Sequence, residues 1–193
     1  MEKPTLILDA AKCRANLKRM ADRVARNPHV TLRPHAKTHQ SAVIGTWFRD
    51  ELGVTGITVS SVDMALYFAS HGWKDITIAF TVNPRQMEAL HQMARQGVQL
   101  GLLVESMETL ELLQAKLEHD VHIWLDIDTG YHRTGLDWHD GQADILALAH
   151  AVDASPHMQL AGLLGHAGHT YDARGNAQVQ AIHRDTVQRM NAC

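Results

Sequence analysis

Cysteine is nearly absent: Cys13 and Cys193 are the only two in 193 residues. One falls in a helical pattern and the other at the very end, which argues against a disulfide framework and for a reducing cytoplasm. No apolar run is long enough to span a bilayer, so a membrane partner is not expected. The opening Met1-Glu2-Lys3-Pro4 lacks the apolar core and cleavage site of a signal peptide and leads directly into strand-like Thr5-Leu6-Ile7-Leu8-Asp9. Basic residues form no stripe and the formal net charge is −3, which speaks against nucleic acid as a partner. Linkers, low-complexity tracts and charge runs are missing too. What remains is the composition of one soluble globular core, 45% hydrophobic and 20% charged.

Short β-rich runs alternate with amphipathic helical patterns along the whole chain. Leu17, Met20, Ala21 and Val24 make the first helical stripe. Strands are expected over residues 30–36, 56–60, 75–80, 100–105, 121–128 and 159–165, each followed by a helix. Asn83-Pro84 is a helix start, with a capping side chain and proline at the first helical position. Strict alternation implies a parallel sheet with right-handed crossovers. Two architectures fit: an open doubly wound sheet, or a (β/α)8 barrel truncated to about six strand–helix units. No Gly-x-Gly-x-x-Gly follows the first strand, which weakens the dinucleotide-binding form of the open sheet.

Strand parity then sorts the polar residues. Between residues 31 and 37, Leu32, Pro34 and Ala36 share one face while Thr31, Arg33, His35 and Lys37 share the other. Between 121 and 128, Ile123, Leu125 and Ile127 oppose Trp124, Asp126 and Asp128. Lys37, Ser60, Glu105, Asp128 and His166 all fall at or just after a strand's C-terminal end, where barrels place their active sites. Lys37 stands out because it lies between His35 and His39. In a crowded, partly desolvated place its amine is a usable nucleophile toward an aldehyde cofactor. Arg133 supplies a guanidinium beyond the rim that can hold an anionic oxygen. His166, His169 and Tyr171 cluster among glycines that permit close backbone approach. For single residues the plainer readings stand: Ser60 or Ser106 as helix caps, Asp126 as a buried, satisfied carboxylate. The histidines also leave open a metal-dependent barrel hydrolase built on His35, His166, His169 and Asp128, although their spacing is a weak metal signal.

Three segments carry a resemblance: Pro34-His35-Ala36-Lys37-Thr38-His39, Asp128-Thr129-Gly130-Tyr131-His132-Arg133-Thr134-Gly135 and Gly165-His166-Ala167-Gly168-His169-Thr170-Tyr171. Together with the opening Pro4-Thr5-Leu6-Ile7-Leu8-Asp9, the chain resembles the D-threonine aldolase/D-serine dehydratase family of fold-type III pyridoxal-phosphate enzymes. The resemblance implies an α/β fold, the (β/α)8 TIM-type barrel of the alanine racemase N-terminal kind, with residues 1–193 as one cofactor-binding domain. It implies that Lys37 forms the internal aldimine with pyridoxal 5'-phosphate. It further implies that Arg133 lies near the cofactor's phenolic oxygen, that His166 and Tyr171 flank its ring, and that Ser60 reaches it from the rim. The expected activity is that of a lyase on β-hydroxy D-amino acids, of the D-threonine aldolase or D-serine dehydratase type.

Members of that family are longer and continue into a C-terminal β domain with a metal pair. The chain is therefore expected to be the N-terminal part of such an enzyme. A divalent metal and a homodimer are expected only of full-length relatives. A non-catalytic cofactor-binding fragment and a pyridoxal-phosphate-dependent racemase remain as alternatives beside the hydrolase.

Overall fold

The computed structural model describes residues 7–193. Helix α1 (Ala10–Val24) begins at Asp9, whose carboxylate accepts the Lys12 backbone N–H at 3.0 Å. None of its residues is fully buried, and Leu17 alone of its expected stripe packs against the core. Residues 5 and 6 of the strand-like opening lie outside the described residues, and 7–9 form no regular element.

The strand expected over 30–36 is the main departure. Only His35 forms a bridge, parallel to Thr58, and the Thr58 N–H donates to the Pro34 carbonyl at 2.9 Å. Pro34 has no N–H to return, so the ladder cannot extend through it. The segment runs alongside the sheet as an extended edge and turns at once into a 3-10 turn, Ala36–Thr38. Helix α2 (Ala42–Thr46) follows, capped by Ser41, and widens into a π-helical turn over Trp47–Glu51.

From there the alternation is regular. Strands β1 (Gly56–Val59), β2 (Asp75–Thr81), β3 (Gln99–Val104) and β4 (Val121–Asp128) pair in parallel in that order. Helices α3 (Val62–Ser70), α4 (Met87–Arg95) and α5 (Met107–Gln114) form the crossovers. Ser61 and Ser106 cap α3 and α5 through their hydroxyls, and Asn83 with Pro84 opens a 3-10 turn before α4. A two-residue strand, β5 (Leu136–Asp137), pairs with the last residues of β4. Helix α6 (Gln142–Asp153) then leads to β6 (Met158–Gly165), which pairs with the other edge of β4. Helix α7 (Asn176–Ala192) closes the described chain, with Met190 against the core.

One sheet face packs on the helices. Ile57 and Val59, Ile76 and Ile78, Leu100, Leu102 and Val104, and Ile123, Leu125 and Ile127 meet Phe68, Leu90, Met93, Leu110, Leu113 and Leu148. Each such side chain adds roughly 1.5–3 kcal/mol on burial, which makes this layer the main source of stability. The opposite face carries Thr58, Thr77, Ala79, Gly101, Leu103, Trp124 and Asp126, the expected parity. The indole of Trp124 needs room there. A Cβ on Gly101 would lie 3.1 Å from its Nε1, and one on Gly162 would lie 3.4 Å from its ring. Gly162 has φ +143 and sits where the β4–β6 register shifts. That shift moves the core-facing positions of β6 from Leu160 to Leu163 and leaves Leu164 on the inner face.

Candidate active site

The C-terminal ends of the strands surround a cavity of about 200 Å³. Arg33, His35 and Lys37 enter from the edge segment, Thr58 and Ala79 from β1 and β2, Leu103 from β3 and Asp126 from β4. Arg133 comes from the loop after β4, and Leu164, Gly165 and His166 from the end of β6. A larger hollow of about 360 Å³ opens at the opposite strand ends, around Asp120, His122 and His157. It contains no lysine or arginine, and parallel barrels perform chemistry at the C-terminal end of their strands. The smaller cavity is therefore the candidate site.

Lys37 follows directly from the local turn. His35 caps the 3-10 turn by accepting the Lys37 backbone N–H at its Nδ1, 3.4 Å away, and the Thr38 hydroxyl donates to the His35 carbonyl at 3.2 Å. The backbone is fixed while the Lys37 side chain is exposed at the cavity mouth. Among the described residues its ammonium makes no hydrogen bond or ion pair. Among the described residues the partly desolvated setting expected for it is absent, and burial falls on the neighbouring histidine instead. Burial, then the positive charges of Lys37 and His166, lowers the His35 pKa to about 4, against a smaller upward pull from the Thr58 backbone. His166 is likewise lowered, first by burial and then by Arg133, Lys37 and His169. Both imidazoles are therefore neutral at neutral pH.

Two guanidiniums line the cavity and differ in state. Arg33 is answered by Asp75 at 2.5 Å and donates to the Ile57 carbonyl at 3.1 Å. Arg133 has no such partner among the described residues. Its guanidinium lies over Phe80, 5.2 Å from the ring centroid, and 5.7 Å from that of Tyr131. Aromatic faces hold a cation without consuming its N–H donors. Asp126 is 3% exposed, and its Oδ2 has no partner among the described residues. Burial raises its pKa, helped by Glu105 and Asp128 and opposed by the Thr134 bond and Arg133. With Asp126 weakened as an anion and Arg33 already paired, Lys37 and Arg133 dominate the field. The cavity suits an anion.

The remaining expected residues stand further out. Ser60 lines a separate hollow with Ile78, Phe80 and Asn83. Tyr171, 67% exposed, packs edge-on against His166 at 6.0 Å without lining the cavity. Tyr131, not singled out from the sequence, packs against His166 at 5.5 Å and stacks with His169 at 6.4 Å. The metal reading loses its acid: Asp128 is taken up by its own loop, bonding backbone N–H groups and His132. Among the described residues, no three His, Cys, Asp or Glu side chains converge as a metal site.

Known proteins resemble this chain in sequence and fold. The chain is 31% identical over 188 residues to the D-threo-3-hydroxyaspartate dehydratase of Delftia sp. (strain HT23), covering 94% of this chain and 48% of that protein. The solved structure of that dehydratase superposes over 100% of this chain and 52% of its own, with a TM-score of 0.89 and 29% identity. The D-serine dehydratase of Dictyostelium discoideum is 28% identical over 189 residues, covering 92% of this chain and 47% of that protein. The crystal structure of D-threonine aldolase from Filomicrobium marinum gives a TM-score of 0.87 at 26% identity, over 97% of this chain and 50% of its own. The chain thus spans about half the length of the relatives it matches. The family profile described as alanine racemase, N-terminal domain, matches residues 8–192, and to that family this chain belongs.

Proposed function

We propose that this chain is the cofactor-binding barrel part of a pyridoxal-phosphate-dependent lyase acting on β-hydroxy D-amino acids, as a dehydratase or an aldolase. The observation that carries the reading is the meeting of one amine, Lys37, and one guanidinium, Arg133, both unpaired among the described residues, over a cavity with neutral imidazoles. An anionic aldehyde fits that donor set: Lys37 offers an amine, and Arg133 offers free, planar N–H donors. Bound there, the cofactor would supply an electron sink for carbanion chemistry at a substrate's Cα.

The protein's part is to place groups. His35 fixes the backbone of Lys37, so that the amine swings from a defined point. Nζ of Lys37 stands at the cavity mouth, where it could take a proton only in its uncharged amine form. Arg133 orients an anionic oxygen from its aromatic platform. His166, edge-on to Tyr131 and Tyr171, presents a neutral ring that adds no charge of its own. Ser60, in a separate hollow, would act only by reaching across from it. The two free thiols, Cys13 and Cys193, fit a reducing compartment, and we place the protein in the cytoplasm.

Borohydride reduction in the presence of pyridoxal phosphate, followed by peptide mapping, tests the assignment. The label is expected on Lys37; labelling mainly at Lys3, Lys12 or Lys18 would overturn it. Turnover of D-serine and D-threonine separates a catalytic barrel from one that only binds the cofactor.

A further inference from the structure

Residues 129–135 carry Arg133 from the end of β4 to β5, and a carboxylate grips each end of this loop. At the entry, Asp128 Oδ1 accepts the backbone N–H groups of Gly130 at 2.8 Å, Tyr131 at 3.0 Å and His132 at 3.0 Å. Its other oxygen meets His132 Nδ1 at 2.8 Å. His132 adopts φ 57, a left-handed conformation that a non-glycine residue keeps only when its surroundings hold it. At the exit, Glu105 Oε2 accepts the Gly135 N–H at 2.5 Å, while Oε1 accepts the Thr81 hydroxyl at 3.2 Å and so ties the loop to β2. Neither carboxylate lines the cavity.

The chemistry of this arrangement is selective. Two acids stand beside a loop that bears an arginine, and a direct ion pair would fix that arginine but neutralise it. Here both acids bind backbone N–H groups instead. Both ends of the loop are tied, and among the described residues the guanidinium meets its aromatic platform with its donors free for a ligand.

We propose that Asp128 and Glu105 are positioning residues that clamp the two ends of the 129–135 loop and thereby set Arg133 over the cavity. The consequence for ligand binding rests on the cofactor reading above; the clamp itself does not. A rigid loop spares the ligand the cost of ordering the arginine when it binds.

Amide hydrogen exchange on the protein without cofactor tests the clamp directly. Asp128→Ala should speed exchange at Gly130, Tyr131 and His132 at least tenfold, and Asp128→Asn, which keeps an acceptor oxygen, by less. Glu105→Ala should do the same at Gly135. Parental exchange at these amides in the alanine variants would overturn the proposal.

Pyridoxal phosphate titration, followed by absorbance, reads the consequence. Affinity should fall about tenfold in Asp128→Ala, yet no further when the same change is made in an Arg133→Ala background, because the clamp acts through that guanidinium. Equal losses in both backgrounds would overturn the positioning role. If the parent binds no pyridoxal phosphate, the cofactor reading fails while the exchange rates still decide the clamp. Should Asp128→Ala not fold, Asp128→Asn and Glu105→Gln carry both measurements.

Discussion

Protonating His35 should destabilise this protein in mild acid, and the structure sets the sign and the scale. His35 Nδ1 accepts the Lys37 N–H, so a proton on that nitrogen abolishes the cap. The imidazolium would also face Lys37, Arg33, Arg133 and His166 around the cavity, with Asp126, itself shifted toward the protonated form, as the one acid lining it. The folded-state pKa is about 4, against an ordinary 6.5. Between those values the unfolded chain binds a proton that the folded chain refuses. The stability is therefore fully present above pH 6.5 and is lost as the pH falls toward about 4. The whole interval is worth roughly 3 kcal/mol as a ceiling, and solvent screening of a half-buried ring brings it to roughly 1–2.

Urea unfolding from pH 7.5 to 4.5, on the parent and on His35→Asn, isolates the effect. Asparagine keeps an acceptor near Nδ1 and does not titrate. Because His166 shifts in the same direction, only the difference between the two proteins counts. The parent should lose roughly 1–2 kcal/mol relative to the variant over this range. A difference that stays constant with pH would refute the reasoning.

Two further substitutions follow from the same site. Gly135→Ala places a Cβ 2.6 Å from the Asp128 nitrogen and 2.7 Å from the Ile127 carbonyl carbon, at φ +107, where backbone meets backbone and neither yields. We expect a loss of roughly 2–4 kcal/mol in denaturant unfolding, and a variant as stable as the parent would contradict the geometry. Arg133→Lys keeps the charge and loses the planar fork. Pyridoxal phosphate affinity should fall tenfold to a hundredfold, as for one charge-assisted hydrogen bond of roughly 1.5–3 kcal/mol, and parental binding would remove Arg133 from the site.

Much of the site was legible in strand parity, because alternation is a geometric property that tertiary contacts rarely overturn. Arg33, His35 and Lys37 fall on one face in the sequence and line one cavity in the structure. Asp126 and Trp124 likewise oppose Ile123 and Leu125. The segment at 30–36 shows where pattern fails: its residues alternate as a strand's do, but Pro34 cannot donate, and the ladder stops at a single bridge. Phe80 was invisible for a different reason. By parity it belongs with Ile76 and Ile78 in the core, but the β2–β3 register shifts after Ile78, and Phe80 turns out, 47% exposed, beneath Arg133. A bulge leaves no mark in hydrophobic periodicity. Nor could the sequence show that Lys37 is exposed, since exposure depends on what packs across the turn.

The four tryptophans of this chain are not equivalent as optical probes. Trp73 is sealed among the helices at 1% exposure, and Trp47 and Trp138 lie under arginine side chains. Trp124 alone stands on the inner face, in the space left by Gly101 and Gly162 and two residues below Asp126 along β4. Its indole is thus a lamp set one layer beneath the cavity floor. A chromophore that entered above it and absorbed where indole emits would quench that emission by energy transfer.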